Sequence, residues 1–365
     1  MSERDATPAI GTSATPDFGE RTGAAVGLHR RGWQDGRWSF LFGADTGYAT
    51  VEPQPGQIAQ ANRRARTGPL PDVVQGPVMH GPVWTWEVPI YFWAGGMAAG
   101  ASFVALACDL AGDEDAARVA RKVALAAVIP APPLLIMDLG RPLRFLNMLR
   151  IFKPRSPMSM GVWCLLTFSG LGAGAVAADL LRWRRAARAL GAANAVVGGY
   201  LGSYTGVLLA ATAVPVWARS RLLLGPIFVA TATATGASAC RLVLAARGMP
   251  AGHPTREALG KVETIAMGAE LVLSQVNERR LGPLAAALES GTAGARFKRA
   301  RWLVRAGLAM HLPRRVTGPW IHHVASACYL AGALLFRQAW VAAGRPSAGD
   351  DRAVAEMARS RRHGD

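Results

Sequence analysis

The chain has 365 residues, 51% of them hydrophobic, and a formal charge of +17. Charge and apolar residues fall in different stretches, and no soluble basic face lies between the apolar runs, which argues against a nucleic-acid partner. The four cysteines, Cys108, Cys164, Cys240 and Cys328, sit singly inside apolar runs. Without a CxxC pair no iron–sulfur cluster or zinc site is expected, and each reads as a small apolar packing residue.

Residues 1–85 form a polar arm punctuated by Gly and Pro, with Trp33, Trp38, Phe40 and Phe42 as its aromatic cluster before the apolar region. Such a segment is expected to be irregular and to dock on a partner, or to be disordered in part. No cleaved signal is expected, because the first long apolar run starts near residue 88 and Arg30-Arg31 leads into polar sequence.

From Pro89 onward, apolar stretches alternate with Arg-rich connections. A hydrocarbon core about 30 Å thick needs about 20 helical residues. The predicted spans are Pro89–Leu110, Val119–Met137, Met158–Leu181, Ala195–Trp217, Leu222–Leu244, Lys261–Val276, Trp302–Pro313 and Trp320–Ala343. The fold class is therefore all-α: a polytopic membrane bundle of about eight transmembrane helices over residues 86–345, followed by a basic tail over 346–365. The seventh span is short, and if it does not cross, the C-terminus changes sides.

With eight spans both termini share a face with the loops Arg141–Arg155 and Arg279–Arg301 and the tail Arg345–Arg362. Positive charge is retained inside, so the termini are expected in the cytoplasm, at the inner (plasma) membrane; Arg182–Arg188 counts the other way. Gly96 and Gly100, Gly170 and Gly174, and Gly198 and Gly202 recur at helical spacing. Such pairs fit close helix packing in lipid, or plain Gly- and Ala-rich composition.

The most informative stretch runs from Asp138 through Arg141, Pro142 and Arg144 to Arg155 and Ser159. Asp138 and Arg141 stand three apart, a helix-compatible ion-pair spacing, and Pro142 then ends the helix. Asp138, Arg141, Arg144 and Arg155 are the candidate partner-docking residues; a solvated loop is the other reading. Within the spans, Asp109 and Asp179 lie at ends and read as hydrated. Arg241, Glu263 and Glu270 lie deeper, and the two glutamates, seven apart, share a helix face. They form either a proton path or a buried ion pair. A dihaem anchor would need four axial ligands, mostly His, deep in facing spans. Here His311, His322 and His323 alone approach any span, so no haem is expected, and His322-His323 reads as interfacial.

Three pieces resemble the NrfD/PsrC family of membrane-anchor subunits of polysulfide reductase-like molybdoenzymes: Trp86–Gly100, Asp138–Pro142 with its continuation to Trp163, and Tyr204–Trp217. The resemblance covers residues 84–245 in order and spacing, and helix number alone from there to 343. It implies a quinone-reactive subunit with no redox centre of its own, with menaquinone or ubiquinone as exchangeable substrate. It also implies a ferredoxin-like iron–sulfur subunit and a molybdopterin (Mo/W) catalytic subunit as partners, beside the lipid bilayer. By the same resemblance the quinone lies at the start of span one, near Trp86, Glu87 and Tyr91, with His80 upstream. Family members place Asn or His where this chain has Glu87, and Trp86, Tyr91 and Trp93 also fit an interfacial aromatic belt. The competing function is a transporter or an ion- or proton-translocating protein without a redox role. Pro130, Pro132-Pro133 and Pro215 fit its broken helices as well as ordinary kinks.

Overall fold

The computed structural model describes residues 59, 63, 79–139, 143, 145–311 and 318–360. The chain divides into two units, Met1–Val74 and Gln75–Asp365, and every element below belongs to the second. The aromatic cluster of the arm, Trp33 to Phe42, lies outside the described residues, as do Arg141 and Arg144.

The second unit is helical, with no strand among the described residues. The elements are α1 (Glu87–Ala111), α2 (Glu114–Val128), α3 (Ala131–Asp138), α4 (Phe145–Arg150), α5 (Pro157–Leu180), α6 (Arg184–Ala210), α7 (Pro215–Arg219), α8 (Leu224–Ala246), α9 (Pro254–Leu281), α10 (Ala286–Glu289), α11 (Gly291–His311), α12 (Pro319–Ala348) and α13 (Asp351–Ser360). Local sequence sets the boundaries. Gly112 closes α1 at φ 79°, a left-handed conformation that glycine adopts without strain. Asp113 then caps α2 by accepting from Ala116 N. Ser156 caps α5 in the same way, and Pro157, Pro254 and Pro319 open α5, α9 and α12, where a missing N–H costs nothing.

Five helical stretches are long and apolar enough to cross a membrane: Glu87–Ala111, Glu114–Asp138, Pro157–Leu180, Leu224–Ala246 and Trp320–Ala348. The second of these is broken at Pro130 into α2 and α3. Three more helices, α6, α9 and α11, have 27, 28 and 21 residues. At 1.5 Å per residue each reaches about 30 Å or more, so length suffices although composition is more polar. The boundaries differ most from the hydropathy reading at the fourth, sixth and seventh helices, the sixth running from Pro254 to Leu281 and not from Lys261 to Val276. The fourth helix starts at Arg184 and ends at Ala210, and Trp217 belongs to the separate α7. The seventh starts at Gly291, eleven residues before Trp302, because a helix continues through Arg296, Lys298 and Arg299 where hydropathy stops.

The long helices pack as two rings of four. In the first, α1 contacts α2 and α6, which both lean on α5; in the second, α8 contacts α9 and α12, which both lean on α11. The rings join where α8 lies along α1 and α6. That seam is a glycine crossing. A Cβ on Gly100 would strike the Ala232 carbonyl and come within 3.1 Å of the Gly236 Cα, and one on Gly236 would strike the Gly100 backbone. Gly198 and Gly202 are also packed close, against Ser102 and against Ala99 and Ala232, whereas Gly170 faces open space. Two of the three glycine pairs are therefore contact surfaces. Gly100→Leu is expected to lose at least about 1–3 kcal/mol through forced helix separation. The test is the unfolding midpoint of the purified protein; an unchanged midpoint would show that the seam can yield.

Tracing the eight crossings puts the start of α1, Asp138, α4, α7, α10 and α13 at one end, here the N-side. The turns at 112–113, 181–183 and 247–253, with Gly318, lie at the far side. On the N-side, Trp84 stacks on Trp217 at 5.2 Å and meets Phe92 edge-on, while the Arg345 guanidinium donates to the Pro82 carbonyl. The segment before α1 is thus fastened to α7 and to the end of α12.

Candidate functional site

At the N-side of the first ring, four polar side chains gather from three helical segments. Tyr91, one turn into α1, is buried in an apolar cluster with Val88, Leu165, Leu201 and Tyr204, against which Leu134, Leu135, Cys164 and Tyr200 pack. Its ring lies 5.4 Å from that of Phe92. Tyr204 comes from the last two turns of α6, its ring 6.1 Å from that of Tyr200. Gly161 of α5 is what admits it, since a Cβ there would strike the Tyr204 ring. Glu87, in the first turn of α1, is half-buried and accepts from the Thr85 hydroxyl. Asp138, the last residue of α3, is half-buried and close enough to Glu87 for the two charges to repel. A pair of carboxyl groups, Glu87 and Asp138, and an apolar cluster that holds Tyr91 and Tyr204 therefore lie at the same end of the first ring.

Trp86 is placed differently from its neighbours: it is 57% exposed, and Trp84 is the indole that packs inward. Tyr204 lies inside one of the family-like pieces, but the expected span Ala195–Trp217 put it in mid-span; its place near a helix end follows from the end of α6 at Ala210. Around the site the N-side surface is apolar and basic together. Leu143, Leu146, Ile151 and Phe152 are exposed, α4 buries none of its residues, and Arg150, Lys153 and Arg155 are exposed among them.

The second ring holds a polar column along α9. Its buried positions include Arg256, Glu263, Glu270, Ser274 and Asn277, at the spacing that keeps residues on one face. The structure brings Arg241 of α8 to Glu263, Nη1 to Oε2 at 3.4 Å. His311 Nε2 of α11 lies 3.5 Å from the same oxygen, and Ser326 of α12 donates to Glu263 at 2.9 Å. His311 stacks between His322, at 5.1 Å, and Tyr329, at 5.7 Å. Two turns on, Glu270 accepts from Ser274 at 2.7 Å and borders a small cavity with Thr231, Arg301 and Phe336. The column ends on the N-side, where Asn277 donates to Ser220 at 2.9 Å.

Arg337 of α12 belongs to this column and was not singled out in the sequence. It is fully buried, donates to the Ala333 carbonyl, lies 5.5 Å from the Phe228 ring and feels the charge of Glu270. Gly96 makes room for it, since a Cβ there would strike Arg337 Nη2.

The far side of the first ring carries a third polar group. Arg121 of α2 donates to both oxygens of Asp179 in α5, at 2.6 and 2.9 Å, and to Asp109 in α1 at 2.6 Å. All three side chains are at least nine-tenths buried. The hydrated reading of Asp109 and Asp179 is corrected accordingly: each ends its span inside a clamp. Among the described residues no group of three or more His, Cys, Asp or Glu side chains is arranged to hold a metal ion.

Fold and site together define a polytopic, all-α membrane protein with a tyrosine- and carboxyl-bearing apolar site at one face of one four-helix ring. The family model for polysulphide reductase, NrfD, matches residues 77–274, more than half of the chain, and the chain belongs to that family. The match takes in the whole first ring, α8 and most of α9. A search of curated proteins finds no match. NrfD proteins are membrane subunits of molybdoenzyme complexes that interact with quinone, and this chain is a multi-pass membrane protein of that kind.

Proposed function

We propose that this subunit passes electrons between the quinone pool and a ferredoxin-like iron–sulfur subunit of a molybdopterin-type oxidoreductase, with the quinone ring at the N-side of the first ring. The observation that carries the reading is the meeting of Glu87, Asp138, Tyr91 and Tyr204 inside the family-matched region. Quinone reduction takes up two electrons and two protons, and oxidation of the quinol releases them. Val88, Leu134, Leu135, Leu165 and Leu201 would line the slot for ring and tail. The Tyr91 and Tyr204 hydroxyls are donors for ring carbonyl oxygens. Glu87 and Asp138, half-buried at the membrane face, would exchange the protons with water. The exposed apolar and basic surface of α4 and its flanks, with Arg155, would hold the iron–sulfur partner above that slot; Arg141 and Arg144 are assigned to the same task. Trp86 would mark the mouth from the lipid side.

In the second ring, Arg241, Glu263 and Glu270 would form a proton path from the far side toward the N-side, joined by Arg337. Buried charges in a membrane are costly unless paired or functional, and here they run as a column across the ring. The N-side, with α4, is assigned to the cytoplasm, as are both termini.

The reading is tested in the intact complex, purified with its partner subunits and supplied with a water-soluble quinol analogue. Glu87→Gln is expected to lower quinone turnover by about a hundredfold while the iron–sulfur subunit still copurifies. Turnover at the parent rate would remove Glu87 from the site.

A further inference from the structure

The far side of the second ring has an excess of buried cations, of which the proposed proton path uses Arg241 alone. Arg256, in the first turn of α9, is 6% exposed. One of its Nη groups donates to the Met249 carbonyl, and the other lies 3.5 Å from His323 Nε2. Its Nε is buried without a hydrogen-bond partner, and among the described residues it has no carboxylate within ion-pair distance. Another cation, Arg241, is close enough to repel it, and the Nε of Arg241 is also buried without a hydrogen-bond partner. Glu263 is the carboxylate of this group, and Arg241 and His311 already share it. Of the other acids nearby, Asp113 is engaged by the Thr255 hydroxyl and Glu257 is exposed. The connection 312–317 adds Arg314 and Arg315 to the sequence and no acid.

A buried guanidinium without a counter-charge costs several kcal/mol, and Arg is the side chain best matched to phosphate oxygens. The N-termini of α9 and α12 both open at this end, and their dipoles favour negative charge. Beside the group, Trp320 is 74% exposed and meets His323 edge-on at 6.5 Å. An exposed Trp at a span start marks the headgroup level, so the cations stand at the depth of lipid phosphates.

We propose that Arg256, with Arg241 and His323, binds a phosphate group at the far-side membrane face, supplied by the headgroup of an anionic phospholipid. Basic recesses between transmembrane helices recognise such headgroups. The site is independent of quinone chemistry, and its test reads no redox activity.

The test uses the full chain in nanodiscs made of phosphatidylcholine alone, of phosphatidylcholine with phosphatidylglycerol, or of phosphatidylcholine with added inorganic phosphate. Lipid retention is read by native mass spectrometry and stability by thermal unfolding. The parent should retain phosphatidylglycerol and unfold at a higher temperature with it, and R256Q should retain about tenfold less. The same stabilisation by inorganic phosphate in phosphatidylcholine would keep the phosphate site but overturn the lipid as its source. Equal retention by the parent and R256Q, or none by the parent, overturns the site. If R256Q does not fold, Arg256→Lys and His323→Gln take its place; retention at the parent level in both counts against the site, and a loss in either supports it.

Discussion

Replacing Arg121 with Met should cost about 3–5 kcal/mol of stability, among the largest single losses expected for this chain. The guanidinium joins three helices of the first ring, with two bonds to Asp179 in α5 and one to Asp109 in α1. Its removal leaves two carboxylates buried at the far side, with Arg188 4.0 Å from Asp109 as the nearest remaining ion-pair partner. The cost is that of uncompensated charge, so it should be recoverable. Arg121→Met combined with Asp109→Asn and Asp179→Asn should unfold closer to the parent than Arg121→Met alone, as measured by denaturant midpoints in one detergent. If the single variant matches the parent, the clamp contributes nothing measurable. If the triple variant is no better than the single, loss of packing rather than loss of charge pairing is responsible.

The clamp also shows where reading the sequence reached its limit. Asp109 and Asp179 stand at the ends of apolar runs, where hydration is the simplest expectation, and Arg121 sits among alanines and valines that predict only a helix. Their partnership spans 58 residues and exists only because α2 packs against α1 and α5. The same holds for Arg241 and Glu263, which are 22 residues apart, and for His311, which reaches Glu263 from another helix. Apolar windows located α1, α5, α8 and α12 because those helices are uniformly hydrophobic. They misjudged the extent of α9 and α11, because the polar residues of α9 face inward and α11 carries its charges beyond the apolar section. The long aliphatic stems of Arg and Lys let a helix continue there at little cost. Glu87 and Tyr91 could be picked out from the family-like pieces, whereas Asp138 read as a docking residue paired with Arg141. That Tyr204 joins them depends on Gly161, whose missing side chain means nothing until α5 and α6 are placed together.

The second large effect concerns the column, and it separates a proton path from a structural ion pair. Glu263→Gln leaves Arg241 with the Ser326 hydroxyl and the His322 carbonyl, each at 3.4 Å. Arg241→Met leaves Glu263 with Ser326 and His311. Each single variant should lose about 3–5 kcal/mol, because breaking a buried pair strands the other charge. The double variant Arg241→Met with Glu263→Leu removes both charges, and its stability should return most of the way to the parent, so that the double-mutant cycle gives a coupling of at least about 3–5 kcal/mol, above the usual value for contacting residues. The second readout is proton translocation across the membrane during quinone turnover, beyond the two protons that each turnover itself consumes or releases, measured in proteoliposomes that contain the complete complex. A relay needs a group that can hold a proton at each step, and a folded double variant has none at position 263. Under the proton-path reading, therefore, the double variant regains its fold but not its proton translocation, while quinone turnover, with its own two protons exchanged through Glu87 and Asp138, persists at the first ring. Recovery of both would reduce Arg241 and Glu263 to a structural pair. Glu270→Gln then becomes the decisive variant, because Glu270 lies two turns further along the same face and Ser274 is its hydrogen-bonding neighbour on α9. Loss of translocation in that variant, with the ion pair intact, would place the path through Glu270, with Arg337 as a fixed charge beside it.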